Sequence, residues 1–261
     1  MSTSRVLFEI DGRIAFLTFN RPDARNAMTW DMYEALVQAC DRVDGHDAVR
    51  VFVLRATGDK AFISGTDISQ FTQFETPEAP IAYERHMDHV VDRLERVGVP
   101  TIAQVQGVAA GGGCAIALSC DLCVATPDAT FGMPISRTLG NCLSAANYAR
   151  LVDLIGPART KDLLFTGRLI DAAEADRLGL VTQMAPLAEL DATVRSVADA
   201  IADNAPLTLR ATKEAVRRIQ AHRRIAPEAA DDLVTLCYTS ADFKEGVAAF
   251  LAKRAPRFTG R

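Results

Sequence analysis

The 261-residue chain has no apolar run of membrane-spanning length, no massed block of one charge and no cysteine framework. The first absence excludes a transmembrane helix, which needs about 20 consecutive apolar residues. Lys and Arg number 29 against 33 Asp and Glu, a net charge of −4, and the basic residues are scattered. No segment is built to neutralise a phosphate backbone, so no nucleic-acid partner is expected. Met1 to Arg5 run straight into an alternating pattern rather than a signal peptide, and a cytoplasmic protein is expected. The cysteines Cys40, Cys114, Cys120, Cys123, Cys142 and Cys237 lie mostly in apolar segments and are expected to be reduced. Cys120 and Cys123 form a C-x-x-C with no second pair, beside a buried-strand pattern at Val124-Ala125, so no metal site is expected there.

What is present is apolar material for a large core, 49% of the chain, with no linker and no repeat. Val6 to Ile10 and Arg13 to Phe19 flank Asp11-Gly12 as a hairpin, and a helix is predicted from about Thr29 to Val43. Val49 to Ala56 and Thr101 to Val105 read as buried strands, with a helix over Ala79 to Val97 between them. The last third carries helical spacing at 142–155, 157–165, 172–178, 188–204, 208–221, 227–238 and 241–254, with Asn141 as N-cap of the first. Strands alternating with helices make this an α/β protein.

Two turns carry chemistry. Gly111-Gly112-Gly113 leads into the apolar helical segment Ala115 to Ser119, so backbone amides and a helix N-terminus can face a ligand unobstructed by side chains. Lys60-Ala61-Phe62-Ile63-Ser64-Gly65-Thr66-Asp67-Ile68 is a second turn that can supply an opposing amide. Each turn follows a buried strand, where ligand sites of α/β folds commonly lie. Two such donors suit an oxyanion. Neither turn fits the alternatives: the glycines lack the G-x-G-x-x-G order of a dinucleotide site, and Ser64 lacks the leading glycine of a nucleophile elbow.

These turns, together with Asn20-Arg21-Pro22, Arg25-Asn26-Ala27, Cys120-Asp121, Phe131-Gly132 and Phe250-Leu251-Ala252-Lys253-Arg254, resemble the enoyl-CoA hydratase/isomerase (crotonase) superfamily in order and spacing along nearly the whole chain. The resemblance implies a ββα spiral core, 1–200, with a helical region, 201–261, that packs on the core and on neighbouring subunits of a homotrimer or dimer of trimers. It implies an acyl-CoA thioester substrate, coenzyme A as part of that substrate rather than a bound cofactor, and an oxyanion hole formed by the Ser64 and Gly112 amides. Arg25, Lys60 and Lys253 are expected at the CoA phosphates, with Ala27, Gly65, Thr66, Asp67, Ile68, Gly111, Pro134 and Phe250 also lining the binding site.

The chain departs from the family at its acids. The positions of the two hydratase glutamates are Ala115 and Ile135, and the segment from Phe131 to Val152 holds no Asp or Glu. Neither residue can move a proton, so ordinary hydration of a 2-enoyl thioester is not expected. Candidate replacements are Arg137, which could pair with a substrate carboxylate, and Glu84, His86 and His89 on the predicted helix. One branch of the family, the chlorobenzoyl-CoA dehalogenases, is similar in placing a histidine in this region. Isomerisation, decarboxylation, thioester hydrolysis and a noncatalytic acyl-CoA-binding role all remain open.

Overall fold

The computed structural model describes residues 4–73 and 78–261. Strands β1 (Val6–Asp11) and β2 (Ile14–Phe19) form the expected hairpin, with Asp11 opposite Ile14, so the turn is Gly12-Arg13, one residue later than the sequence signal. Then come α1 (Trp30–Asp44), β3 (Val51–Ala56), β4 (Ala61–Ile63), α2 (Glu78–Glu95), β5 (Thr101–Val105), β6 (Val108–Ala110), α3 (Gly112–Ser119), β7 (Leu122–Ala125) and β8 (Thr130–Gly132). The remainder is mostly helical: α4 (Ile135–Thr138), α5 (Ala145–Thr166), α6 (Ala172–Arg177), α7 (Leu187–Ala202), α8 (Pro206–Ala221), α9 (Asp231–Tyr238) and α10 (Ala241–Leu251). Two short strands, β9 (Ile170–Asp171) and β10 (Gln183–Met184), interrupt it.

Two sheets result. One runs β1-β2-β3-β5-β7-β10 and is parallel beyond the hairpin; the other runs β4-β6-β8-β9. The period-2 alternation of a strand buried on both faces is clear in β2. Ala15, Leu17 and Phe19 enter the main core with α1 and the second sheet, while Ile14 and Phe16 face Leu190, Val194 and Ala198 of α7. A third apolar cluster joins Ile68, Phe71, Leu139, Val234, Tyr238, Phe243 and Val247, so α9 and α10 pack on Ile68 and Phe71, just past the 64–67 segment, and on Leu139.

Three local expectations are corrected. Helix α5 begins at Ala145, not Cys142, because Ser144 rather than Asn141 is its N-cap: the Ser144 hydroxyl accepts from the Asn147 amide. The helices predicted at 142–155 and 157–165 form one element, broken at Gly156 with φ 75° just before Pro157. Helix α10 ends at Leu251 rather than Arg254, and Lys253 beyond it adopts φ 53°. No helix among the described residues is long and apolar enough to cross a membrane.

A buried ionic cluster ties the layers. Glu95 at the end of α2 accepts from Arg150 of α5 at 2.7 and 3.0 Å, and from Arg224 beyond α8 at 2.8 and 3.0 Å. The two guanidinium groups hold the Glu95 carboxyl below its ordinary range despite its burial.

Candidate active site

The site is assembled by stitching one loop to another. Arg25 and Asn26 adopt left-handed φ of 50° and 54°, a conformation asparagine tolerates better than most residues. Buried Asn26 accepts from the Arg21 amide at 2.8 Å and donates to the Thr57 and Ala61 carbonyls at 3.0 and 2.9 Å. Arg21 in turn pairs with Asp67 at 2.7 Å. The Met28 amide donates to the Gly65 carbonyl, and the Asp67 amide to Met28, both at 2.8 Å. The 64–67 turn is therefore clamped to the 21–28 loop along its length.

The glycine turn is pressed against the same place. A Cβ on Gly113 would stand 2.2 Å from the Ile63 carbonyl oxygen, so only glycine allows α3 to begin this close to β4. The Gly112 amide, first in α3, has no protein partner among the described residues and lies at the helix's positive end. Ser64 differs from expectation: its amide already donates to the Arg25 carbonyl at 3.1 Å, which leaves a ligand only a shared, three-centre bond.

Both turns open on one cavity of about 690 Å³. Its lining brings together Arg25, Ala27, Ser64, Gly65, Thr66, Asp67, Ile68, Glu84, Gly111, Gly112, Ala115, Pro134, Ile135, Phe250 and Lys253 of the sequence candidates. Arg25 and Lys253 are exposed, and Lys60 lies beside Arg25 in an adjoining groove. Phe250 and Lys253 meet the cavity of their own chain. Besides Lys60, three candidates lie outside the lining. Arg137 is exposed and packs its Cβ side against Gly167; His86 faces Glu34 at 3.4 Å; His89 is exposed.

Among the described lining residues Glu84 is the one buried carboxyl, 7% exposed. The Tyr238 hydroxyl of α9 donates to its Oε1, and Asn141 Nδ2 donates to the Tyr238 oxygen at 3.1 Å. Burial pushes the Glu84 carboxyl up to about 8; the Tyr238 hydrogen bond opposes this and the neighbouring Asp88 adds to it. Near pH 7 Glu84 is thus a neutral acid in an apolar chamber. Tyr238 and Asn141 were missed as its partners because they are far away in sequence. Tyr33, also in the lining, was missed because it sits at core spacing on α1. Thr138 and Cys142 line the cavity as well, whereas Ser136 bonds back to the Leu164 carbonyl.

A spiral of strand pairs and helices whose two glycine turns converge on an apolar cavity is the crotonase-type α/β architecture. The sequence model of the enoyl-CoA hydratase/isomerase family matches residues 9–261, and the chain belongs to that family. It is 34% identical over 255 residues to a short-chain-enoyl-CoA hydratase of Clostridium acetobutylicum, covering 97% of each chain. Among solved structures it resembles an enoyl-CoA hydratase/carnitine racemase from Magnetospirillum magneticum, with TM-score 0.80, 32% identity and coverage of 100% and 97%. It also resembles a methylmalonyl-CoA decarboxylase in complex with 2-nitronate-propionyl-CoA, with TM-score 0.90, 26% identity and full coverage of both chains.

Proposed function

We propose that the cavity binds an acyl-CoA thioester, that the Gly112 and Ser64 amides stabilise its enolate, and that Glu84 carries the proton to or from the carbon chain. The observation that carries this reading is the buried Glu84 carboxyl sharing a chamber with the Gly112 turn, while Ala115 and Ile135 occupy the two hydratase positions. Water addition needs one group to activate water and another to protonate carbon; reactions that manage with a single carboxyl fit better. Exposed Arg25 and Lys253 at the cavity, with Lys60 in the next groove, are suited to the CoA phosphates.

Two one-carboxyl reactions differ in the form of Glu84 they require. Decarboxylation of a malonyl-type thioester creates the enolate without a base, and the neutral acid then protonates it. A double-bond shift needs the ionised carboxylate first. The raised Glu84 and the TM-score of 0.90 to a methylmalonyl-CoA decarboxylase favour the first. Arg137 lies off the lining, and this reading gives it no role. The experiment is turnover of methylmalonyl-CoA, a 3-enoyl-CoA and crotonyl-CoA from pH 6 to 9.5. Decarboxylation falling above pH 8 supports the leading reading, isomerisation rising toward pH 8 the second, and rapid hydration of crotonyl-CoA overturns both. Tight acetyl-CoA binding without turnover of any would mark a noncatalytic binding protein. A homotrimer or dimer of trimers in the cytoplasm is proposed with it, supported by exposed Leu207, Val216 and Ile219 on α8; light scattering reads the state.

A further inference from the structure

Tyr33 stands beside the Gly112 turn. It is 2% exposed, on the inward face of α1, and its hydroxyl oxygen lies 2.6 Å from the point where a Cβ on residue 112 would be. The phenol therefore occupies the space next to the oxyanion amide that a side chain at 112 would take. Its hydroxyl shares a hydrogen bond with Thr66 Oγ1 at 2.7 Å, and Thr66 Oγ1 shares another with the Tyr83 hydroxyl at 3.1 Å. All three residues line the cavity.

Three hydroxyls joined by two hydrogen bonds use two of their three protons, so one proton is directed out of the chain. When the chain runs from Tyr83 through Thr66 to Tyr33, that proton is the one on the Tyr33 oxygen, beside Gly112. A ligand oxygen gaining negative charge there favours this direction, and each bond in the chain polarises the next. Burial drives the Tyr33 phenol well above its ordinary range, so the group keeps its proton and serves as a hydrogen-bond donor rather than an acid or base. The need for such a donor is visible in Ser64, whose amide is shared with the Arg25 carbonyl.

We propose that Tyr33 is a catalytic residue of this site: its hydroxyl donates to the thioester oxygen beside the Gly112 amide, oriented by Thr66 and Tyr83. The proposal rests on the acyl-thioester reading above and deepens it. Its test is calorimetric titration of the full-length wild type and Tyr33→Phe with acetyl-CoA and with S-ethyl-CoA, a thioether of similar size that lacks the carbonyl oxygen. Tyr33→Phe is expected to bind acetyl-CoA about tenfold more weakly and S-ethyl-CoA unchanged, as loss of one hydrogen bond to that oxygen requires. The infrared carbonyl stretch of bound [1-13C]acetyl-CoA is expected to move back toward its solution frequency in the variant. Thr66→Val, which removes the orienting partner, is expected to show the same selective loss and supplies the test if Tyr33→Phe does not fold. Equal loss for both ligands, or no loss for either, overturns the role of Tyr33 alone. Wild type that binds neither ligand overturns the thioester reading and this proposal together.

Discussion

Replacing Glu84 with Gln removes a proton site while keeping the oxygen that accepts from Tyr238. In the unfolded chain the carboxyl titrates near 4.5, and in the folded protein near about 8. Between those values the folded state holds a proton that the unfolded state has released, so stability is fully present below pH 4.5 and is lost as pH rises toward 8. At about 1.4 kcal/mol per pH unit, the interval is worth about 5 kcal/mol as an upper bound. Glu84→Gln escapes this loss because it cannot ionise. Urea unfolding at pH 5.5 and pH 8.5 should show the variant gaining about 3 kcal/mol on the wild type between the two. Parallel pH dependence in the two proteins would show that Glu84 ionises normally and would remove the physical basis for its role.

Two further substitutions test the frame that holds the site. Glu95→Gln leaves Arg150 and Arg224 without their shared carboxylate in a buried setting, and is expected to cost about 3–5 kcal/mol in chemical denaturation. Because Glu95 is held below its ordinary range, the wild type should also lose this contribution as pH falls toward 4 and below, whereas the variant should not. Asn26→Ala deletes three hydrogen bonds and leaves a left-handed backbone to alanine, an expected loss of about 2–4 kcal/mol read by thermal unfolding.

The elements nearest the chemistry were legible because their residues have strong local reasons. The apolar runs 49–56 and 101–105 were legible as strands, but β4 and β6, the short strands of the second sheet that lead directly into the two turns, lie within segments read as turns; Gly112 and Gly113 mark a close approach that the structure explains by Tyr33 and Ile63. The missing acids at 115 and 135 were equally plain, since an absence needs no geometry. Other features depend on tertiary contacts. Ser64 was read as a free donor because nothing local reveals that left-handed Arg25 turns its carbonyl to the Ser64 amide. Glu84 could be named but not ranked above His86 and His89, because what separates them is burial under α9 and the hydroxyl of Tyr238. Asn141 was assigned as a cap on propensity, and the tertiary bond to Tyr238 overrode it.

The central claim is that this cavity forms a thioester enolate and that Glu84 exchanges the proton. The direct measurement is deuterium incorporation at the α-carbon of a saturated acyl-CoA in D2O at about pH 9, above the value of about 8 to which burial pushes Glu84, so that its carboxylate can take the proton, followed by NMR with the wild type and Glu84→Gln. The account predicts steady exchange in the wild type, slowed at least about 100-fold in the variant. Exchange at the same rate in both proteins, or none in the wild type, contradicts it.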